Sequence, residues 1–253
     1  MKKQTTSVIW DKFWAQRDPA AIYPPVTNIS QELRQIVPIA EKKILEVGAG
    51  TGRDGMKLSA RGGTVYLLDY SLESLRLMRR SSEADNVTLI LADARHCPFE
   101  DNTFDIVFHQ GLLEHFPEPS RLLRENHRIL KTGGLLLVDV PQTFHLYTVV
   151  KHVLLFFGLW FAGWERQFTI DSLARLLEKN DFESLYYYGD WSRPGLTYKV
   201  LRAILMKVGI TLPMFPSYFG RLTESFYTIQ NHLRKKKIFL YTVLSIGIIG
   251  RKK

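Results

Sequence analysis

From about residue 40 to residue 141 the chain alternates two kinds of pattern. Short apolar runs at 44–47, 64–68, 87–91, 106–108 and 135–140 are bounded by glycine, proline, aspartate or asparagine. They have the length and β-branched content of buried strands. Between them, residues 54–61, 71–80 and 119–130 place apolar side chains at helical spacing, stopped by Gly62-Gly63 or by Lys131-Thr132-Gly133-Gly134. Strand–helix alternation of this kind predicts a doubly wound α/β sheet, with helices covering both faces.

The pattern loosens outside this stretch. Trp10, Phe13 and Trp14 fall on one helical face, followed by Tyr23 and Pro24-Pro25. They fit either a cap on the core or a lid on the substrate side. Residues 29–38 predict a short helix closed by Pro38. Residues 170–180 predict an amphipathic helix with Thr169 or Asp171 as its cap, and 182–188 a sixth strand dense in tyrosine. Helical patterns recur at 194–208 and 216–233. The apolar run 238–250 is too short to span a bilayer as a helix and is rich in β-branched residues, so it predicts a last strand.

The first predicted strand ends in a concentrated signal. Glu46-Val47-Gly48-Ala49-Gly50-Thr51-Gly52 places three glycines at alternate positions, just before a helix. Glycine admits left-handed backbone and the close approach of a ligand, and the carboxyl end of the first strand is where nucleotide-like ligands sit in open α/β sheets. A dinucleotide fingerprint spaces its glycines differently, and Glu46 would repel a pyrophosphate. A carboxylate there suits a ligand carrying an ammonium and a sulfonium. Asp69 closes the second predicted strand about twenty residues on, the spacing of an acid that accepts hydrogen bonds from two ribose hydroxyls; it or Ser71 also fits as the cap of the next helix.

This run resembles the first motif of class I S-adenosylmethionine (SAM)-dependent methyltransferases. The later order of Asp93, Pro98-Phe99, Phe104-Asp105, Gln110-Gly111-Leu112-Leu113-Glu114-His115 and Arg128 through Leu136 resembles the rest of the signature. This is the broad family that includes ubiquinone- and menaquinone-biosynthesis methyltransferases, and the resemblance covers roughly residues 40–141. It implies a Rossmann-like seven-stranded sheet in the order 3-2-1-4-5-7-6, the last strand antiparallel between the fifth and sixth, with a helical lid. The implied organisation is an N-terminal helical cap (1–38) and a SAM-binding domain (39–253) carrying helical insertions at 142–168 and 192–234. The implied cofactor is SAM, with S-adenosylhomocysteine as product, held by Glu46, Gly48, Ala49, Gly50, Gly52, Asp69, Tyr70, Asp93, Ala94 and Gln110. Asp93 would accept from an adenine amine.

Residues 146–164 form an apolar aromatic stretch interrupted by Lys151, His152, Gly158 and Gly163. A central lysine costs about 2.5–3.5 kcal/mol on insertion scales, which argues against a membrane span. The stretch fits a buried helix pair, a greasy pocket wall or a membrane interface. With Trp10, Trp14 and Tyr23, its Trp160 and Trp164 are the candidate substrate lid.

Composition narrows the setting. The chain has 253 residues and a formal net charge of +9, but residues 234–253 alone hold seven Lys/Arg and no acid, leaving the body nearly neutral. That distribution gives no reason to expect nucleic acid. It fits solubilising charge or peripheral contact with anionic membrane through the C-terminus and 146–164. One cysteine, Cys97, allows no intramolecular disulfide and fits a reducing compartment. The N-terminal residues show no secretory signal, so the expected location is cytoplasmic, with membrane association left open.

Methyl transfer from a sulfonium needs in-line alignment and exclusion of water more than a base. His115, Glu114 and His109 are the candidates if the acceptor must lose a proton, His115 foremost at neutral pH. His115 fits equally well as a residue that holds its loop. No His/Cys spacing fits a metal. The acceptor class implied is a small or lipid-like molecule. A nicotinamide-dependent Rossmann oxidoreductase and a catalytically silent SAM-binding module are the competing readings. Oligomeric state is not legible.

Overall fold

The computed structural model describes residues 7–16, 29–81, 84–145, 148, 157, 165–191, 195–207, 209–213 and 228–253. Tyr23, Trp160 and Trp164, most of 146–164 and residues 216–227 lie outside this set. Two helices, α1 (Ser7–Ala15) and α2 (Ile29–Arg34), precede the sheet. The alternating body then runs β1 (Lys43–Val47), α3 (Arg53–Ser59), β2 (Thr64–Asp69), α4 (Leu72–Ser81), β3 (Val87–Leu91), β4 (Phe104–Gln110), α5 (Pro119–Ile129) and β5 (Leu130–Pro141). It finishes with α6 (Ile170–Lys179), β6 (Phe182–Asp190), α7 (Leu196–Lys207) and β7 (Ser245–Lys252).

The seven strands lie in the order β3-β2-β1-β4-β5-β7-β6, as the resemblance implied. Strands β1 to β5 pair in parallel, and β7 runs antiparallel between β5 and β6. Parallel central strands must be apolar on both faces, and alternate residues of β1 show it. Leu45 packs with Leu122, Leu123, Leu173 and Leu177 of α5 and α6. Ile44 packs with Ile29, Leu33, Leu58 and Met78 of α2, α3 and α4. The helix α2 is therefore part of the core layer, whereas α1 lies over the carboxyl edge of the sheet.

Local chemistry explains several boundaries. Thr169 caps α6 in a reciprocal capping box, its hydroxyl accepting from Ser172 N while Ser172 Oγ accepts from Thr169 N. Pro119 begins α5, where its missing N–H is not needed. Thr143 donates to Phe168 O through both its N–H and its hydroxyl, which ties together the two ends of the insertion.

Two expectations are corrected. Residues 131–134 read as the turn closing α5, yet β5 begins at Leu130, because Leu130 pairs with Phe104 across an irregular register. The run 238–250 read as one strand, but its first part winds into a 3-10 turn (Lys237–Tyr241) that buries Leu240. Only Ser245–Lys252 joins the sheet.

The basic C-terminus also differs from a free polycation. Arg234 is buried and pairs with buried Glu32 at 2.5 Å, and Glu32 also accepts from the Tyr186 hydroxyl. Lys235 bonds Gln35, Lys237 pairs with Asp171, and Arg251 lies near Glu183. The Lys252 ammonium caps Leu130 O. Arg234 and Lys252 are thus built into the fold, whereas Lys235, Lys236, Lys237, Arg251 and Lys253 stay exposed. Among the described residues no helix is long and apolar enough to cross a membrane.

Removing one partner of a buried ion pair strands the other charge, so Arg234→Ala should lower unfolding stability by about 3–5 kcal/mol, against within about 0.5 for exposed Lys236→Ala, measured by urea denaturation. His109, on β4, is wholly buried with neither ring nitrogen hydrogen-bonded among the described residues. Burial lowers its pKa from the ordinary 6.5 to about 3. The unfolded chain therefore takes up a proton below about pH 6.5 that the native protein refuses. Stability from this group is complete above pH 6.5 and lost as pH falls toward 3. Between pH 7.5 and 5 the wild type should lose about 1–2 kcal/mol more than His109→Leu in the same denaturation measurement.

Candidate functional site

The site grows from the turn after β1. Gly48, Gly50 and Gly52 all have left-handed φ, at 65°, 57° and 66°. A side chain is strained at each, and space is also short. A Cβ would lie 2.9 Å from Leu112 Cδ1 at Gly48 and 2.7 Å from Trp14 Cζ2 at Gly50. At Gly52 it would meet Leu67 and Met78. Gly48 and Gly50 thus shape the open side of the turn, while Gly52 lets α3 start hard against the core.

The carboxylate of Asp69 holds the turn. Its Oδ2 accepts from Gly50 N at 2.8 Å and its Oδ1 from Ser71 N at 2.9 Å. The helix cap is Ser71, whose Oγ accepts from Ser74 N, and Ser74 Oγ donates to Gly50 O at 2.7 Å. Asp69 therefore sets both the loop and the start of α4. Burial raises its pKa, and the two backbone donors oppose that rise. Glu46 Oε2 accepts from Gly55 N in the first turn of α3 at 2.8 Å. Burial, then the nearby Asp54 charge, pushes its pKa well up.

Asp93 follows β3 and forms a forked pair with Arg95, 2.6 Å at the shortest contact, which holds its pKa down. The sequence reading missed Arg95. Its signal was a cation two residues past the acid, on the same loop. It also missed Asp11, which no local pattern distinguishes. From α1, Asp11 Oδ1 accepts from Ser71 Oγ at 2.6 Å and from Glu73 N at 3.3 Å. That places an acid at the N-terminus of α4 and fixes α1 over the turn. Trp14 then lies on Gly50, and Trp10 meets the His115 ring edge-on at 5.2 Å.

These groups enclose a cavity of about 360 Å³. Its wall includes Glu46, Gly48, Ala49, Gly50, Asp69, Tyr70, Asp93, Ala94 and Gln110, nine of the ten residues read as cofactor-binding. Gly52 is behind the wall. Trp10, Trp14 and His115 line the cavity too, with Leu112, Phe116 and Arg95. His109 and Glu114 are buried away from it. The strand alternation that turns Gln110 toward the cavity turns His109 into the interior. Cys97 is buried, and desolvation pushes its thiol up to about 12, so it is no nucleophile.

The cavity fits an adenosyl sulfonium on its own terms. A side chain on the turn would fill the cradle. Acids stand at the ends of β1, β2 and β3, and the wall combines carboxylates with aromatic rings. Among the described residues no group of His, Cys, Asp and Glu could hold a metal.

The family described as "Methyltransferase domain" matches residues 45–138. A demethylmenaquinone methyltransferase of Staphylococcus aureus is 32% identical over 162 residues, 55% of this chain and 67% of the relative. Methyltransferase 1 for 2-methyl-6-phytyl-1,4-hydroquinone from Oryza sativa subsp. japonica is 36% identical over 149 residues, covering 54% of this chain and 45% of that protein. A demethylmenaquinone methyltransferase of Clavibacter sepedonicus is 37% identical over 106 residues, 42% of this chain and 43% of the relative. The chain thus spans under half the length of the rice and Clavibacter relatives. Among solved structures, the complex between the Haloferax volcanii Trm112 methyltransferase activator and a methyltransferase matches with TM-score 0.65 at 15% identity, covering 96% of each chain. A SAM-dependent methyltransferase of Thermotoga maritima matches with TM-score 0.59 at 19% identity, covering 88% and 87%. These two likenesses concern the fold. Glycine turn, acidic strand ends, strand order and relatives agree: the chain belongs to the class I SAM-dependent methyltransferases.

Proposed function

We propose that this chain transfers the methyl group of SAM to a lipid-like aromatic acceptor of the quinol type. The observation that carries the reading is the left-handed glycine turn pinned by Asp69 at the wall of the cavity. Glu46, Asp69 and Asp93 are assigned to the amino acid, ribose and adenine parts of the cofactor. Each is an acceptor at the end of a neighbouring parallel strand. When bound, SAM supplies a methyl carbon activated by its sulfonium.

The protein's own contribution is alignment and exclusion of water. Trp10, Trp14 and Phe116 supply flat apolar wall for an aromatic acceptor, and Asp11 holds the first two in place. Where the acceptor must release a proton, His115 on the same wall is the imidazole placed to accept it. The quinol class is supported by the names of the relatives and by this aromatic lining.

Titration calorimetry with SAM, S-adenosylhomocysteine and NAD tests the cofactor assignment. SAM and its product should bind, and NAD should not. Equal affinity for NAD would favour the oxidoreductase reading. Asp69→Ala should weaken SAM binding by about 1.5–3 kcal/mol, the range for hydrogen bonds to a charged group. The same variant leaves Gly50 N and Ser71 N unpaired, so a stability loss of about 1–3 kcal/mol should accompany it in a denaturation curve. Gly50→Ala should abolish detectable SAM binding, because the turn would have to leave its left-handed backbone or displace Trp14. Production of S-adenosylhomocysteine from a prenylated quinol checks turnover; binding without product across quinol and phenol acceptors would mark a silent binding module.

A further inference from the structure

Among the described residues, two guanidinium groups line the cavity beside its acids, Arg53 and Arg95. They stand in different relations to it. Arg95 is used by the fold, its Nε and one Nη forming a fork on the Asp93 carboxylate. Arg53 opens α3, directly after the glycine turn. One of its Nη atoms donates to the neighbouring carboxylate, Asp54 Oδ2, at 2.8 Å. Its Nε is buried and has no hydrogen-bond partner among the described residues. A buried N–H left without an acceptor is costly, and on the wall of a ligand cavity the missing acceptor is one that a ligand can bring.

The acids around Arg53 define what that ligand group is. Asp54 is buried and lines the same wall, and Glu46 lies close enough for the Arg53 charge to oppose the rise in its pKa. Asp54 Oδ1 also has no hydrogen-bond partner among the described residues, the Lys57 ammonium standing 3.7 Å away. Two buried carboxylates and a guanidinium with a spare donor complement an α-amino acid. The acids suit its ammonium and the guanidinium its carboxylate. SAM ends in such a group. Beside Glu46 and Asp54, its carboxylate would add a third negative charge to a buried cluster unless a cation met it. Arg95 is committed to Asp93, so Arg53 is the wall cation left for this task.

We infer that Arg53 binds the carboxylate at the amino acid end of SAM, and so makes the cavity select a zwitterionic tail over a bare amine. The inference rests on the reading above in which Glu46 faces the amino acid part of the cofactor. It adds a positioning residue that the glycine and acid pattern of the sequence did not single out.

The test is titration calorimetry of the full chain with three ligands that share an adenosine. These are SAM, decarboxylated SAM, which keeps the sulfonium and the ammonium, and 5′-methylthioadenosine, which lacks the amino acid end altogether. The wild type should bind SAM about tenfold more tightly than decarboxylated SAM. Arg53→Gln should weaken SAM about tenfold and leave the other two ligands within about twofold of their wild-type affinities. Arg53→Lys keeps the charge without the planar fork and should recover part of the loss. If Arg53 only held Asp54 and the start of α3, its replacement would weaken all three ligands alike, and that result would overturn the inference. Equal affinity of the wild type for SAM and decarboxylated SAM would overturn it too, and this comparison needs no variant to fold. Absence of any SAM binding would bring down the cofactor reading as well, whereas equal affinities would sink this inference alone, so the two failures are distinguishable.

Discussion

A single carboxylate organises the carboxyl edge of this sheet. Asp69 ends β2 and is buried, yet each of its oxygens holds a backbone N–H, one on the glycine turn and one at the start of α4. Burial without those donors would drive the group toward its neutral form; the donors oppose that, and the carboxylate in turn keeps two orphan N–H groups paired. The turn and the helix are thereby fixed to one strand end. Everything on the cavity wall is placed relative to that junction.

The N-terminal helix is attached to the same junction. Ser74 holds Gly50 O from α4, Ser71 caps α4, and Asp11 accepts from the Ser71 hydroxyl. The chain of hydrogen bonds runs from α1 to the glycine turn through Ser71 and Ser74 alone. Trp10 and Trp14 of α1 line the cavity, and no residue of the helix is fully buried. Attachment combines the Asp11 hydrogen bonds with half-buried aromatic contacts, Trp14 against Gly50 and Trp10 against His115.

Within the sheet, burial sorts like residues into unlike roles. His109 and His115 lie six positions apart in one motif, but one sits in dry interior on β4 and the other on the cavity wall in a 3-10 turn. Arg234 and Lys236 belong to one basic run, but only the former is buried against an acid. The alternating strands, the glycine turn and the acid closing β2 were legible because each is written in adjacent residues. The side each histidine faces, the fate of the basic run and the role of Asp11 were not, since their partners are far along the chain.

What the amino-acid order determined alone was local. Three alternating glycines set a left-handed turn, apolar runs bounded by breakers set the strands, and Thr169 or Asp171 offered a cap for 170–179, of which the fold uses Thr169. Tertiary structure decided which of those glycines faces a ligand and which faces Met78 and Leu67. It also paired Asp11 with Ser71, 60 residues away, and Glu32 with Arg234, 202 residues away. The reason is physical. Backbone preference belongs to a residue and its neighbours, whereas exposure, pairing and charge state depend on what the folded chain brings alongside.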